Sequence, residues 1–163
     1  MTNLEDFVVA VDENDNDLEV ITRAQAHMKG ILHRISVVYL VDDKGNILIQ
    51  ERIDGKRDHS SAGHVDIGED YIESARRELF EELGVTSVEL IKIAKGFSEE
   101  KNDAKGIHIR HIFEIFVTNA KPVKLLETEV KNSFWADPEM ILEDMNKHLD
   151  QDVYSGGFID SLP

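Results

Sequence analysis

Three glutamates, Glu78, Glu81 and Glu82, stand at positions i, i+3 and i+4. On a helix, at about 100° per residue, that spacing gathers their carboxylates within an arc of roughly 100° on one face. Like charges so placed repel by about 0.2–0.5 kcal/mol per pair. A hard divalent cation held by carboxylate oxygens turns the repulsion into binding, and oxygen ligands favour Mg²⁺ or Mn²⁺ over zinc. Such an ion polarises an oxygen bound to it and lowers the pKa of an attacking water. The plain alternative is a solvated acidic helix face.

The elements around these residues must hold them. Asp70, with Glu73 as its box partner, caps a helix that stops at Gly84. Its apolar stripe, Ile72, Ala75, Leu79 and Leu83, is centred roughly 120° from the glutamates, so one face serves a core and another the acids. Upstream, Arg52, Lys56 and Arg57 form a basic patch in and beside the polar loop Asp54–Ser61. That patch is suited to a substrate's phosphates, with solvated loop charges as the alternative.

Phe7–Val11 and Leu18–Ile21 flank a turn-rich acidic run and read as a hairpin; the run lacks the central Gly and distal Glu of a calcium loop. Thr22 and Gln25 make a capping box for a short helix ended by Gly30. Ile35–Val41 and Ile47–Arg52 form a second hairpin. A strand over Val88–Phe97, a charged loop over Ser98–Gly106 and a long strand over Ile107–Thr118 follow the central helix. On that last strand His108, Arg110 and Glu114 share a face by alternation and are candidates for substrate contact or for a base. Beyond a break at Pro122 come a short strand, Lys131–Ala136, and a helix opened by Asp137-Pro138 with the stripe Ile141, Leu142, Met145 and Leu149. Trp135 reads as core. The expectation is one α/β (α+β) domain over residues 31–163, with a hairpin and short helix, residues 1–30, packed on it.

Composition sets the bounds. At 163 residues the chain suits one domain with a sizeable core. No apolar run approaches a membrane span, and the N-terminus lacks the basic and apolar regions of a secretion signal. The absence of cysteine excludes disulfides and thiol catalysis and points to the cytoplasm. A formal charge of −15 argues against nucleic-acid polymers and anionic membranes as partners. It leaves a small phosphorylated substrate open, because a bound divalent metal reverses the local sign.

Read with its gaps, the central stretch is Gly63, five residues, Glu69, seven residues, Arg77-Glu78-Leu79, one residue, Glu81-Glu82, one residue, Gly84-Val85. It resembles the Nudix box at every defining position, a match expected by chance on the order of once in a million. The resemblance implies an α/β/α sandwich around a mixed, curved sheet, with residues 63–85 as its loop–helix–loop. It implies hydrolysis of a pyrophosphate bond in a nucleoside diphosphate linked to another group, or in a related diphosphate. It makes Glu78 and Glu82 metal ligands, Glu81 a ligand or the base that activates water, and the Gly63 carbonyl a further ligand. Glu69 would orient the site or hold a second metal, with a helix-start acid facing the dipole as the alternative; Arg77, four residues before Glu81, would position that carboxylate, with a plain surface pair as the alternative. Arg110 joins Arg52, Lys56 and Arg57 as a substrate-binding candidate. Weaker similarity runs from about His33 to about His148, and homodimers are common in the family.

The order of elements, the N-terminal extension and the run Ser61-Ala62-Gly63-His64 resemble the isopentenyl-diphosphate-isomerase-like branch. The isomerase needs a cysteine just before the Gly-His pair, where this chain has Ala62, and its box is usually degenerate whereas this one is intact. Its His/Glu metal cage is partly matched: His64 fits, His27 and His33 fit loosely, and the later glutamates have no equivalent around Ile109 and His111. With no Cys/His cluster of zinc spacing about it, His64 reads as a structural or supporting residue. A Mg²⁺- or Mn²⁺-dependent hydrolase is therefore expected; a divergent isomerase and a non-catalytic nucleotide-binding module are the alternatives.

Overall fold

The run Ile35–Leu40 is buried without interruption, the mark of a strand covered on both faces. It is the middle of the sheet in this computed structural model, which describes residues 6–126, 128, 130–148, 153–155 and 158–159. In chain order the elements are β1 (Phe7–Val11), β2 (Asp17–Thr22), α1 (Arg23–Lys29), β3 (His33–Val41), β4 (Ile47–Arg52), β5 (Arg57–Asp58) and β6 (Ser61–His64). There follow α2 (Tyr71–Leu83), β7 (Ile91–Asn102), β8 (Ile107–Asn119), β9 (Val130–Ala136) and α3 (Pro138–Lys147).

The sheet is mixed. β3 pairs in parallel with β8 from His33↔His111 to Val41↔Asn119, and antiparallel with β6 from Ile35↔His64 to Val38↔Ser61. β4 continues from β3 and carries β5 and β9. Alternation along β3 then builds two cores. Ile35, Val37 and Tyr39 face Ile49, Phe113 and Ile115 under Ile141 and Met145 of α3. Val38 and Leu40 face Leu48 and Phe116 under Ala75, Leu79 and Leu83 of α2. Helices thus cover both faces of a curved mixed sheet, the α/β/α sandwich that the box implied. Leu149, the last residue of the expected α3 stripe, lies outside the described residues.

The N-terminal hairpin extends the same sheet, through Ala10↔His33 and a 3.0 Å bond from the Val11 N–H to the Leu32 carbonyl. Asp15, in its turn, fastens it down. That carboxylate accepts from Arg34 Nε at 2.6 Å, Lys95 Nζ at 2.5 Å and the Tyr71 hydroxyl at 2.9 Å.

Two local expectations are corrected. Ser98–Asn102 is strand, not loop: β7 runs on beside β8 with Glu99 opposite Arg110 and Lys101 opposite His108. Charged residues that find a cross-strand partner hold a ladder as well as apolar ones do, and only Asp103–Lys105 and Gly106 form the turn. The polar loop before the box likewise contains β5, whose two residues pair with Gln50 and Glu51. Among the described residues no helix is long and apolar enough to cross a membrane.

Candidate active site

The box helix is fixed at both ends. The Asp70 side chain accepts from the Glu73 N–H at 2.8 Å, the Glu73 side chain accepts from the Asp70 N–H at 3.0 Å, and Gly84 closes the helix at φ 70°. With Ala75, Leu79 and Leu83 turned to the sheet, the glutamates fall beside β6. Gly63 of β6 allows the close approach: a Cβ there would lie 2.1 Å from Cδ of Glu78. Glu82 is only 5% exposed and accepts from Gln50 Nε2 at 3.3 Å, whereas the Glu81 side chain is 46% exposed. Gly63, Glu78, Glu81 and Glu82 line one cavity of about 210 Å³. Its oxygen donors suit a hard divalent ion such as Mg²⁺ or Mn²⁺.

Arg77 holds this face together. It donates to both oxygens of Glu69 at 2.9 and 3.0 Å, to Glu78 at 2.7 Å and to the His64 carbonyl at 3.0 Å. Asp66 lies 3.3 Å away and Glu81 3.4 Å. The expected partner, Glu81, is thus the most distant of its carboxylates. Above all the Glu69 hydrogen bond, then those of Glu78, raises the guanidinium pKa against the effect of burial. Burial pushes the Glu69 carboxyl up, but Arg77 and the Asp66 N–H outweigh it and hold Glu69 below the usual range. Expected as a further ligand or orienting residue, Glu69 lies outside the small cavity and orients Arg77.

On its other side β6 borders a cleft of about 490 Å³, lined by Ala62, Gly63 and His64 with Arg52, Lys56, Ile107, Ile109 and His111. Arg52 also borders a space beside Glu82 and Gln50, so it lies between the cleft and the box. It is ion-paired with Asp54 at 2.8 Å.

Two of the four substrate-binding candidates point elsewhere. Lys56 and Asp58 line the cleft, but Arg57 between them projects to the opposite face by strand alternation. It lies 3.2 Å from Asp144 of α3 and stacks on Phe134 and Tyr154. Arg110 shares a face of β8 with His108, as expected, but that face meets the N-terminal unit: Arg110 is 3.4 Å from the Gly30 carbonyl and borders a separate cavity with Glu13 and Glu99. Glu114 is ion-paired with Lys92 at 3.1 Å. The cleft is lined instead by the alternate set, Ile107, Ile109 and His111.

Sequence reasoning missed one feature and read another only in part. Arg23, first residue of α1, reaches into the glutamate cavity, and its Nε is buried without a hydrogen-bond partner among the described residues. The second corrects the reading of His64. Ligand nitrogens of His27, His33, His64 and His111 all lie within 4.8 Å of one another. His27 Nε2 is 3.2 Å from His33 Nε2 and 3.3 Å from His64 Nε2. Burial leads in favouring the neutral form of each ring, lowering His33 to about 4 and pushing His64 and His111 well down. No local spacing signals this group, since its members come from α1, β3, β6 and β8. The signal in the sequence was the partial match of His27, His33 and His64 to the isomerase cage; what brings in His111 is the register that sets it opposite His33.

Residues 32–155 match the NUDIX domain, and the chain belongs to the Nudix family. It is 35% identical over 102 residues to an uncharacterized Nudix hydrolase of Yersinia pestis, 59% of this chain and 56% of that protein. It is 30% identical over 153 residues to an isopentenyl-diphosphate Delta-isomerase of Aromatoleum aromaticum, 88% of this chain and 79% of that one. The chain spans about half the length of several curated relatives it matches. The crystal structure of DR0079 from Deinococcus radiodurans superposes with a TM-score of 0.71 over 94% of both chains, at 20% identity, a likeness of fold.

Proposed function

We propose that this chain is a divalent-metal-dependent pyrophosphohydrolase acting on a nucleoside diphosphate linked to another group, or on a related small diphosphate. The observation that carries the reading is the meeting of Glu78, Glu81 and Glu82 with Gly63 in one cavity. Bound there, Mg²⁺ or Mn²⁺ supplies positive charge that polarises phosphoryl oxygens. Glu78 and Glu82, with the Gly63 carbonyl, are the residues suited to hold it. Glu81, the most exposed of the three, would take a proton from the attacking water. Arg77 keeps Glu78 in position, while Arg52, Lys56 and Arg23 face the spaces where the substrate's phosphates would lie. Positioning and charge stabilisation supply most of the acceleration in phosphoryl transfer.

The second reading is an isomerase of isoprenoid diphosphates, favoured by the name of the Aromatoleum relative. Ala62 and the absence of cysteine weigh against it. Incubating the protein and Mg²⁺ with nucleoside diphosphate sugars, dinucleoside polyphosphates, nucleoside triphosphates and isopentenyl diphosphate separates the two. Phosphorus-containing products from one of the nucleotides are expected. Glu82→Gln should lower that turnover by about three orders of magnitude, since metal charge stabilisation contributes several kcal/mol. Wild-type turnover in Glu82→Gln defeats the site assignment, and double-bond migration in isopentenyl diphosphate defeats the hydrolase reading.

A further inference from the structure

We infer that Asp58 selects the substrate: one oxygen of its carboxylate accepts a hydrogen bond from a sugar hydroxyl, which makes the preferred substrate a nucleoside diphosphate sugar. The inference rests on the pyrophosphohydrolase reading and adds the group carried beyond the diphosphate. Asp58, on β5, stands where the cleft meets a space of about 500 Å³ beside Glu82, and it lines both. Arg52 lines both as well. A group linked to a phosphate held between the glutamates and Arg52 therefore passes this carboxylate.

The two oxygens of Asp58 differ. Oδ1 accepts from the His59 N–H and from the Ser155 hydroxyl, each at 2.8 Å, and lies 2.6 Å from His59 Nδ1. Oδ2 takes no hydrogen bond among the described residues. The Arg52 guanidinium stands 3.8 Å from it, too far to donate, and is paired with Asp54 at 2.8 Å. The Asp58 side chain is only 17% exposed, and polar atoms so placed are nearly always satisfied. Burial pushes its carboxyl up, but His59, then Ser155, outweigh that and hold it below the usual carboxylate range. Oδ2 is thus an ionised acceptor. One oxygen serves the fold, and the other is left for a ligand that donates.

Charge around Oδ2 narrows the class of that ligand. Asp54, Asp58 and Glu82 border the space with Arg52 as the one cation among the described residues that line it, so a further phosphate is repelled. A metal ion at Oδ2 is opposed by the guanidinium 3.8 Å away. An isoprenoid chain brings no donor. A sugar brings hydroxyl donors without charge, and Ile53, 55% exposed on the same space, offers an apolar surface to its C–H face. The carboxylate thus holds the right group and turns away a charged rival, the two halves of selectivity. A site built to bond a hydroxyl also rejects a group without one, because its own polar atom is then left unpaired.

The test compares UDP-glucose, GDP-mannose and ADP-ribose, each against the triphosphate of the same base, on the full chain and on Asp58→Asn. Binding is measured by calorimetry with Mg²⁺, using analogues whose anhydride oxygen is replaced by a methylene bridge; turnover of the natural compounds is scored separately. The parent should bind at least one sugar compound about tenfold more tightly than its triphosphate, and removing one sugar hydroxyl should cancel about that factor. Asp58→Asn keeps an oxygen for His59 and Ser155 but loses the charge. It should bind the sugar compound about tenfold more weakly and the triphosphate more tightly. A residue that only supports the fold would move both in the same direction. Equal binding of sugar compounds and triphosphates by the parent overturns the inference, as does a deoxy-sugar series that loses nothing. Both arms use the parent and decide even where the variant fails to fold. A parallel change of the two ligands in folded Asp58→Asn also overturns it. Selective binding without hydrolysis upholds the role of Asp58 and defeats the pyrophosphohydrolase reading, whereas hydrolysis without selectivity does the reverse.

Discussion

Strand β6 separates two groups of metal-competent side chains that differ in every physical respect. On one side, Glu78, Glu81 and Glu82 come from a single helix within five residues and offer charged oxygens, the first two paired with Arg77 and the third with Gln50. On the other, four neutral imidazoles come from four elements and offer nitrogens, with burial keeping them uncharged. The first group gains electrostatic relief from a hard cation. The second gains partners for lone pairs. Adjacent residues of one strand serve both, since Gly63 makes room for Glu78 and His64 joins the histidines. A fixed spacing is thus needed only where one helix supplies the whole group; three strands and a docked helix can assemble the other from residues far apart in the chain.

That contrast is open to attack. The largest effect on the carboxylate side alone, after loss of Glu82 itself, is expected from Gly63→Ala. Its new Cβ would displace the Glu78 side chain, and a misplacement of about 1 Å costs roughly a hundredfold in rate. Because the atoms displaced belong to a flexible side chain, the melting temperature should move little while steady-state kinetics record the loss. A matched loss of fold would show that Gly63 serves packing instead.

Asp15→Asn tests whether the N-terminal unit, which brings in His27 and Arg23, is fastened as the structure indicates. The variant leaves Arg34 and Lys95 without their shared carboxylate, and breaking a buried ion pair costs about 3–5 kcal/mol, reduced here toward about 2 by partial exposure. Denaturant unfolding measures it. Burial opposes ionisation of Asp15, but the hydrogen bonds from Lys95, Arg34 and Tyr71 outweigh it and lower its pKa. Its contribution is therefore complete above the ordinary carboxylate pKa near 3.8 and is lost as pH falls through the lower folded value. The variant and parent should converge in stability at strongly acid pH; a constant gap would mean the charge is not responsible.

The smallest effects separate neighbouring cations. Lys56→Ala, facing the cleft, should raise KM by about tenfold, the size of one charge-assisted contact of about 1.5 kcal/mol. Arg57→Ala, turned to Asp144 and Tyr154, should leave KM unchanged and cost about 1 kcal/mol in stability. Steady-state kinetics of the two variants side by side check the alternation; an equal rise in KM would put both on the substrate side.

Much of the fold is legible in the sequence because its signals are local. Capping residues at Thr22 and Asp70, the helix-ending Gly30 and Gly84, and the stripe of α2 act within a few residues, and each helix end forms where those residues stand. The run Ser98–Asn102 reads as loop in the sequence because its strand character comes from partners on β8 and not from its own apolar content. Arg57 and Arg110 differ from expectation for a related reason. Charge and order along the chain are local, but which face of a strand meets the cleft depends on the layers packed above and below it.

By itself the sequence determined the glutamate cluster, its helix and the family to which the chain belongs. A helix converts residue spacing directly into position, so that chemistry is written in one continuous stretch. Only the tertiary structure decided that Glu69 supports Arg77, that Arg23 enters the glutamate cavity and that four distant histidines converge. Those positions follow from sheet register and from the docking of α1, which depend on burial summed over the whole domain and leave no pattern in any short run of residues.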